Sequence, residues 1–178
     1  HIENLVRLET REANAEGQGA IGIGMLIRAA LSLRPDRILI GEVRGKEALD
    51  LLQAMNTGHD GSFSTGHANS PRDMLARLDT MVLMAAELPL PAIRSQIASA
   101  VDIMVHVARL RDKSRKVAAI EEVDRYENGE IILNSLYRFQ EHEKGGEKNE
   151  ASRRVEGSLE KTGELRHREK LRMAGIEL

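Results

Sequence analysis

The chain has 178 residues and a hydrophobic fraction of 41%, enough for one compact domain with an apolar core and a tail. Aromatic residues contribute 2% and the net charge is -2, which argues against a nucleic-acid surface built on bulk positive charge and base stacking. Cysteine is absent, which excludes disulfides and thiolate chemistry. No apolar run reaches the roughly 20 residues that a membrane span needs.

The opening of the chain predicts a strand, a helix and a second strand. Residues 5–8 are apolar enough for a short strand, and residues 21–33 are apolar nearly all round, which predicts a buried helix. Pro35 disfavours helical backbone at the residue before it and so ends that helix. Residues 37–42 form an apolar run without alternation, which predicts a central strand of a parallel sheet, buried on both faces and ending at Glu42.

Three helices and one further strand follow. Gly45 opens the first helix, for which Gly58 suits the C-terminal cap, and residues 62–65 predict the next strand. Ser70, which is followed by a proline, predicts the start of the second helix, and the third follows Pro91. The residues of the last two helices that we expect to face the core are Leu75, Leu78, Val82, Ile93, Ile97 and Ala100.

The pattern then changes to consecutive strands. Residues 103–107, 117–123 and 131–137 predict three of them. Asn128 and Gly129, between the last two, both tolerate positive φ and predict a tight hairpin turn. Alternating strands and helices therefore give way to an antiparallel meander, and the fold class is α/β.

The end of the chain differs in composition, because charges of both signs dominate residues 140–178. Within this part, residues 141–156 have few large apolar side chains and predict a linker, and residues 165–173 predict a short terminal helix. The sequence therefore predicts two parts, a packed domain over residues 1–139 and a charged tail over residues 140–178.

Glu42 is the first candidate site residue, because ligands of open α/β sheets bind at the carboxyl ends of the strands. A carboxylate at this place can hold a water on Mg²⁺ or polarise the water that attacks a phosphate. The alternative is an ordinary glutamate that faces solvent or pairs with a neighbouring arginine.

His59 and His67 bracket the second predicted strand, and an imidazole can donate to a phosphate oxygen. The alternative is two ordinary loop histidines. Arg44 lies two residues after Glu42, so both side chains can face the same side if the strand continues. The arginines considered as phosphate clamps, although most arginines are surface residues, are Arg7, Arg11, Arg34, Arg37 and Arg44.

No segment of these 178 residues has the form G-x-x-x-x-G-K-[ST], so the phosphate-binding loop of an NTPase is absent from the sequence. Composition and spacing alone therefore lead to an α/β domain with a candidate phosphate-linked site.

Long motifs of the chain resemble a known superfamily, the type II/type IV secretion ATPases. Residues 34–45 resemble its Walker B segment, and residues 65–73 resemble the second half of its His box. The continuation over residues 48–62, together with residues 6–11, resembles the CpaF branch, the motor ATPases of tight-adherence pili. Gly163 and residues 174–178 are similar to the family's C-terminus.

This resemblance implies a RecA-like P-loop NTPase core, here truncated, with a central, mostly parallel sheet, helices on both faces and C-terminal antiparallel strands. It implies a hexameric ATPase that uses ATP and Mg²⁺ and lies in the cytoplasm. There it would be peripheral at the inner membrane through a pilus or secretion platform protein, with no nucleic-acid partner. The resemblance does not separate pilus assembly, pilus retraction and protein export.

The resemblance also implies roles for single residues. Glu42 would be the Walker B glutamate, catalytic and acting on Mg²⁺ through water. His59 and His67 would be the catalytic His-box pair near the γ-phosphate. The positions assigned to nucleotide binding on the matched segments are Arg44, Arg11 and Thr65.

Three departures from the family pattern qualify this expectation. The family's Walker A loop, acidic Asp box and N-terminal domain all precede the segment that corresponds to His1. Gly66 stands where the family usually has a bulky apolar residue, which predicts a looser setting for His67. We therefore expect a C-terminal ATPase segment that hydrolyses no ATP alone. The alternatives are a non-catalytic interaction fragment of a split or truncated secretion ATPase and, disfavoured by charge and composition, a RecA-like nucleic-acid motor.

Overall fold

The computed structural model describes residues 3–142 and 154–177, and it confirms the α/β class with a parallel strand pair, an antiparallel sheet and five helices among those residues. The helices and strands of the first part, in chain order, are α1 (Ile23–Leu31), β1 (Leu39–Ile40), α2 (Glu47–Met55), β2 (Phe63–Ser64), α3 (Pro71–Leu83) and α4 (Leu90–Ala100). Those of the second part are β3 (Ile103–Arg109), β4 (Arg115–Glu127), β5 (Glu130–Glu141), β6 (Gly157–Lys161) and α5 (Glu169–Met173).

The N-terminal stretch departs from the sequence prediction. Residues 5–8 form no strand, and their apolar side chains are exposed, as 62% of Val6 is. A strand needs a partner for its backbone groups, and the described residues pair this region only through a bridge between Arg11 and Ile21. The expected burial of the first helix is also wrong, since α1 packs mainly against α2 and buries only Ile27 among its described residues.

β1 and β2 form the predicted parallel pair, with Leu39 opposite Phe63. Pairing extends to the residue before β1, because Phe63 N donates to Ile38 O at 3.1 Å. Ile38 and Ile40 point into the core, whereas Leu39 is 53% exposed and Phe63 is 59% exposed. The predicted burial of this strand on both faces is therefore wrong for the described chain, in which one face of the pair packs on the helices and the other meets solvent.

The core lies between the helices, the first strand pair and the antiparallel sheet, which contributes Val123 and Ile131. Ser70 Oγ accepts from Asp73 N at 3.1 Å, which confirms the predicted N-cap of α3. One face of α3 and one face of α4 are buried as the sequence predicts. The buried apolar residues that the helices contribute include Leu51, Leu52, Leu75, Leu78, Val82, Ile93 and Ile97.

The second sheet is an antiparallel meander in the order β3-β4-β5-β6. The hairpin between β4 and β5 turns at Asn128 and Gly129, whose φ angles of 51° and 85° confirm the predicted turn. β6 pairs with β5 and was not predicted, because its sequence is charged and carries little hydrophobic alternation.

The C-terminal segment, residues 164–177, packs beside this sheet. It contains α5, a helix shorter than the one predicted over residues 165–173. Most of the predicted linker over residues 141–156 lies outside the described residues, and the division of the chain at residue 140 stays a prediction. None of the helices over the described residues is long and apolar enough to cross a membrane.

Candidate functional site

The carboxyl ends of β1 and β2 lie side by side and carry the candidate site. Glu42 follows β1 after one glycine, and His67 follows β2 after two residues. Val43 N donates to Thr65 O at 3.0 Å, so the parallel pairing extends to the residues that flank both side chains. This edge is the place where open α/β sheets bind ligands.

Glu42 contacts one charged or titratable side chain through each carboxylate oxygen. Arg44 Nη2 donates to Oε2 at 2.6 Å, and His67 Nε2 lies 3.2 Å from Oε1. The structure therefore brings together three residues that the sequence singled out. Only 21% of the Glu42 side chain is exposed, against 76% for Arg44 and 82% for His67. The cluster thus has a recessed carboxylate between two accessible cationic or polar groups.

Arg44 is the main cause of a lowered pKa at Glu42. The hydrogen bond from Arg44 lowers the pKa of Glu42, and the charges of His67 and Arg77 lower it further against a smaller opposing effect of burial. Glu42 in turn raises the pKa of Arg44. Arg77 lies on α3 and was missed by the sequence analysis, because nothing in the sequence indicates that α3 packs near the end of β1.

The backbone between Glu42 and α2 is fixed by Glu47. Its Oε1 accepts from Arg44 N at 2.7 Å and from Gly45 N at 3.0 Å. Burial raises the pKa of Glu47, but these backbone donors outweigh burial, and the net pKa is lowered. The sequence analysis also missed this residue, although a glutamate at the first turn of a helix is a recognisable N-terminal signal.

Thr65 joins the two strand ends. Its Oγ1 donates to Gly41 O at 2.5 Å, so the hydroxyl proton is used within the protein and only the acceptor lone pairs remain for other contacts. The predicted role of Thr65 in nucleotide binding stays a prediction.

His59 is not part of this cluster. It precedes β2, so it lies at the amino end of the strand pair, whereas Glu42 and His67 follow the strands at the carboxyl end. Its Nδ1 lies 3.1 Å from Ala54 O and 3.3 Å from Thr57 Oγ1, at the C-terminal end of α2. The described contacts of the His59 imidazole therefore lie at the end of α2 and not with Glu42 or His67, and its catalytic role stays a prediction.

Arg11 is also held elsewhere in this structure. Its Nε donates to Gly19 O at 2.8 Å and closes the loop that precedes α1. A Cβ at Gly19 would lie 3.3 Å from Arg11 Nη2, so the glycine allows this close contact. The assignment of Arg11 to nucleotide binding stays a prediction.

A resident metal site of three or more protein ligands does not exist among residues 3–142 and 154–177. Glu42 is the carboxylate that the contacts with Arg44 and His67 place at the sheet edge. A single carboxylate fits the way Mg²⁺ is held in nucleotide-dependent enzymes, where substrate phosphates and waters supply most of the ligands.

Residues 3–159 match the family described as "Type II/IV secretion system protein". The chain belongs to this family. The match includes β1, β2, Glu42 and His67, so the residues of the candidate site lie within the part that defines membership.

Curated relatives of this secretion family member come from several bacteria. The chain is 36% identical over 126 residues to the conjugal transfer protein TrbB of Rhizobium radiobacter, covering 71% of this chain and 36% of the relative. It is 43% identical over 93 residues to the type IV secretion system protein PtlH of Bordetella pertussis, covering 51% and 27%. The chain therefore spans about a third of the length of these relatives.

A solved structure shares the fold of this family member. It is the VirB11 ATPase of the Brucella suis type IV secretion system, crystallised with sulphate, at 34% identity and a TM-score of 0.55, covering 57% of this chain and 32% of that chain. The likeness confirms the RecA-like fold class and the superfamily. The CpaF branch stays a prediction.

Proposed function

We propose that this chain is the part of a secretion ATPase that supplies Glu42 and His67 to a nucleotide site, and that ATP hydrolysis there powers movement of secretion or pilus components. The observation that carries the proposal is the 3.2 Å contact between Glu42 Oε1 and His67 Nε2. Two side chains from separate parallel strands meet at the sheet edge where α/β proteins bind nucleotides.

The lowered pKa of Glu42 argues against a role as general base. A general base works best with a pKa near the working pH, and a carboxyl group whose pKa is held low accepts a proton poorly. A permanently ionised carboxylate is suited to hold a metal-bound water or to orient the attacking water by its charge. When bound, Mg²⁺ would neutralise developing phosphate charge. Glu42 would hold it through water.

Arg44 and His67 supply the donors of the proposed site. Both side chains are largely exposed, so each can turn from Glu42 toward an anionic ligand at the sheet edge. A phosphate that competes with Glu42 for these donors would couple its own presence to the position of His67. This competition is a physical route by which loss of the γ-phosphate could be sensed.

The proposed site needs a phosphate-binding loop that these 178 residues do not supply. The sequence has no Walker A loop. Leu39 and Phe63 on the parallel strand pair are exposed. Parallel sheets are normally buried on both faces. We therefore propose that the chain alone hydrolyses no ATP. We keep the alternative of a non-catalytic interaction fragment as an outcome of the experiment below.

The finer assignments belong to the same proposal. Residues 48–62 resemble the CpaF branch and favour a pilus motor, whereas the relatives described above are named for conjugal transfer and type IV secretion. We propose a hexamer in the cytoplasm, docked at the inner membrane through a platform protein and using ATP with Mg²⁺.

Phosphate release by the longest form of the protein that the gene encodes tests the proposal. Glu42→Gln keeps a hydrogen-bond acceptor for Arg44 but removes the charge, and we expect turnover to fall about 100-fold or more. Glu87→Gln, at an exposed position after α3, is the matched control and should leave turnover unchanged.

Two results would contradict the proposal. Full activity of Glu42→Gln would exclude a catalytic carboxylate at this position. Absence of ATPase activity in the unmodified protein, with binding to a full-length family member retained, would establish the interaction fragment instead.

A further inference from the structure

The C-terminal segment, residues 164–177, reaches the loop that carries His59. Lys170 on α5 places its Nζ 3.0 Å from Asp60 Oδ1 and 2.8 Å from Asp102 Oδ2. Asp60 directly follows His59, and Asp102 directly precedes β3. One ammonium group therefore joins two carboxylates that belong to separate parts of the fold.

The segment that carries Lys170 is anchored independently of that lysine. The carboxylate of Glu122, a residue only 1% exposed on β4, accepts from Arg166 N at 3.0 Å and from His167 N at 2.8 Å. Asp124, two residues further along β4, accepts from Arg166 Nη1 at 2.6 Å. The sheet thus fixes the start of the segment, and the chain path then places Lys170 beside Asp102.

Residues 57–62 form the His59 loop. Contacts within the loop and with the end of α2 fix both of its ends. Thr57 Oγ1 donates to Ala54 O at 3.0 Å at one end, and Ser62 Oγ donates to His59 O at 2.8 Å at the other. Gly58 and Gly61 have φ angles of 86° and 79° and let the chain turn on either side of His59 and Asp60. Among the described residues, the ion pair with Lys170 is the charge contact that holds Asp60.

We propose that Lys170 is a positioning residue for His59, through which the C-terminal segment links the His59 loop to the antiparallel sheet. That His59 takes part in catalysis is an expectation from the family resemblance and rests on the proposed ATPase function, but the physical link between Lys170 and the loop does not. Lys170 stays charged at neutral pH, because its hydrogen bonds with Asp102 and Asp60 outweigh partial burial and raise its pKa.

The exposure of the three side chains determines what kind of effect to expect. They are between half and two-thirds exposed, and ion pairs of this kind add little to global stability. The contribution of Lys170 should therefore be local, because the other contacts of the His59 loop lie at its ends, and Gly58 and Gly61 flank the stretch that carries Asp60. A global loss of fold is not expected when Lys170 is replaced.

Amide hydrogen exchange of this chain, measured by NMR, tests the physical link. In Lys170→Gln, the amides of Thr57 and Ser62 should exchange about two- to fivefold faster, while those of Arg166 and His167 keep their rates. Asp60→Asn should give the same increase, and the double variant should add nothing. Lys161→Gln, which removes a lysine paired with Glu164 instead, is the matched control and should leave the loop unchanged.

The positioning role is tested by the His59 chemical shifts and by kcat. A general loss of packing would also change KM and the unfolding midpoint. The imidazole chemical shifts of His59 should change in Lys170→Gln and return in Lys170→Arg, which restores a cation. In the longest form that the gene encodes, Lys170→Gln should lower kcat about two- to fivefold and leave KM and the unfolding midpoint unchanged.

The link between Lys170 and the His59 loop can be tested separately from the proposed function. Unchanged exchange in the His59 loop would overturn the link itself. Faster exchange with unaltered His59 shifts and unaltered kcat would overturn the positioning role. Full activity of Glu42→Gln, in contrast, would refute the catalytic role proposed for Glu42, while the exchange data still report on Lys170.

Discussion

The side chain of Met74 lies over Gly66, so close that a Cβ atom at residue 66 would lie 2.4 Å from Met74 Cε and 2.9 Å from Met74 Sδ. Met74 stands on the first turns of α3, and Gly66 precedes His67. The Met74 side chain on α3 thus occupies the space that a larger side chain at position 66 would fill. The sequence predicted a looser setting for His67, but the volume missing at Gly66 is supplied by Met74.

This packing predicts how the two positions depend on each other. Gly66→Ala should destabilise the chain by about 1 kcal/mol, because the methionine tip must move to admit the new methyl group. The cost is modest because the obstacle is the far end of a flexible side chain and Gly66 does not need positive φ. Urea unfolding followed by circular dichroism measures the change.

A double variant separates crowding from backbone effects. Met74→Ala alone should cost about 1–2 kcal/mol through the void that it leaves, and Gly66→Leu with Met74→Ala should be more stable than the sum of the single changes predicts. Strict additivity of the two substitutions would show that Met74 and Gly66 do not share this space.

The N-cap of α3 gives a second prediction. Ser70→Ala removes the acceptor for Asp73 N and should destabilise the chain by about 1 kcal/mol, whereas Ser70→Asp keeps an acceptor and should stay close to the parent. The same urea titration measures both variants. Equal losses in Ala and Asp would mean that the serine acts through something other than capping.

Local signals explain which parts of this fold could be predicted. The cap at Ser70 and the turn at Asn128 and Gly129 depend on a few neighbouring residues, so the sequence contains all the necessary information. The contact between Glu42 and His67 was also predictable, because parallel pairing places two carboxyl ends at one edge.

Other features depend on what lies across the fold. Leu39 is exposed because no element among residues 3–142 and 154–177 covers that face of the strand pair. The position of Arg77 near Glu42 follows from helix packing. β6 is recognised only through its pairing with β5. His59 precedes β2 and Glu42 follows β1. In a parallel pair, a residue before one strand and a residue after the other lie at opposite ends of the pair.

A buried ion pair beside the β4–β5 turn gives a third prediction. Arg94 Nε donates to Asp79 Oδ2 at 3.0 Å, and its Nη1 donates to Gly129 O at 2.5 Å. Asp79 is 8% exposed, and its Oδ1 has no hydrogen-bond partner among the described residues. Arg94→Met should therefore destabilise the chain by about 3 kcal/mol, because it leaves a buried carboxylate without its cation.

The partner substitution tests the cause of that loss. Asp79→Leu combined with Arg94→Met removes both charges and should recover about 2 kcal/mol of the loss measured by urea unfolding. If the double variant is as unstable as Arg94→Met alone, the loss comes from the contact with the turn at Gly129 instead.

The attachment of the C-terminal segment should depend on pH in both directions. For Glu122 and Asp124, burial opposes ionisation, but hydrogen bonds from the segment outweigh burial and lower both pKa values. A lowered carboxyl pKa adds stability that is complete above the ordinary values of 4.5 and 3.8 and is lost as the pH falls through the lowered pKa.

The contribution of His167 to attachment is lost at high pH instead of low pH. Burial opposes its charged form, but the bonds of Nε2 to the Asp124 backbone oxygen and carboxylate outweigh burial and raise its pKa. Its contribution is complete below the ordinary value of 6.5 and is lost as the pH rises through the raised pKa. The neighbouring guanidinium groups of Arg125 and Arg166 remain charged throughout and do not shift this window.

Attachment should therefore be strongest between about pH 4.5 and 6.5 and weaken on both sides. The exchange rates of the Arg166 and His167 amides, corrected for intrinsic pH dependence, measure it directly because both amides donate to Glu122. His167→Gln should remove the alkaline weakening and keep the acidic one, whereas His142→Gln, whose imidazole contacts Ser158, should change neither. Protection that stays constant from pH 5 to pH 9 in the parent chain would show that His167 does not hold the segment through its charge.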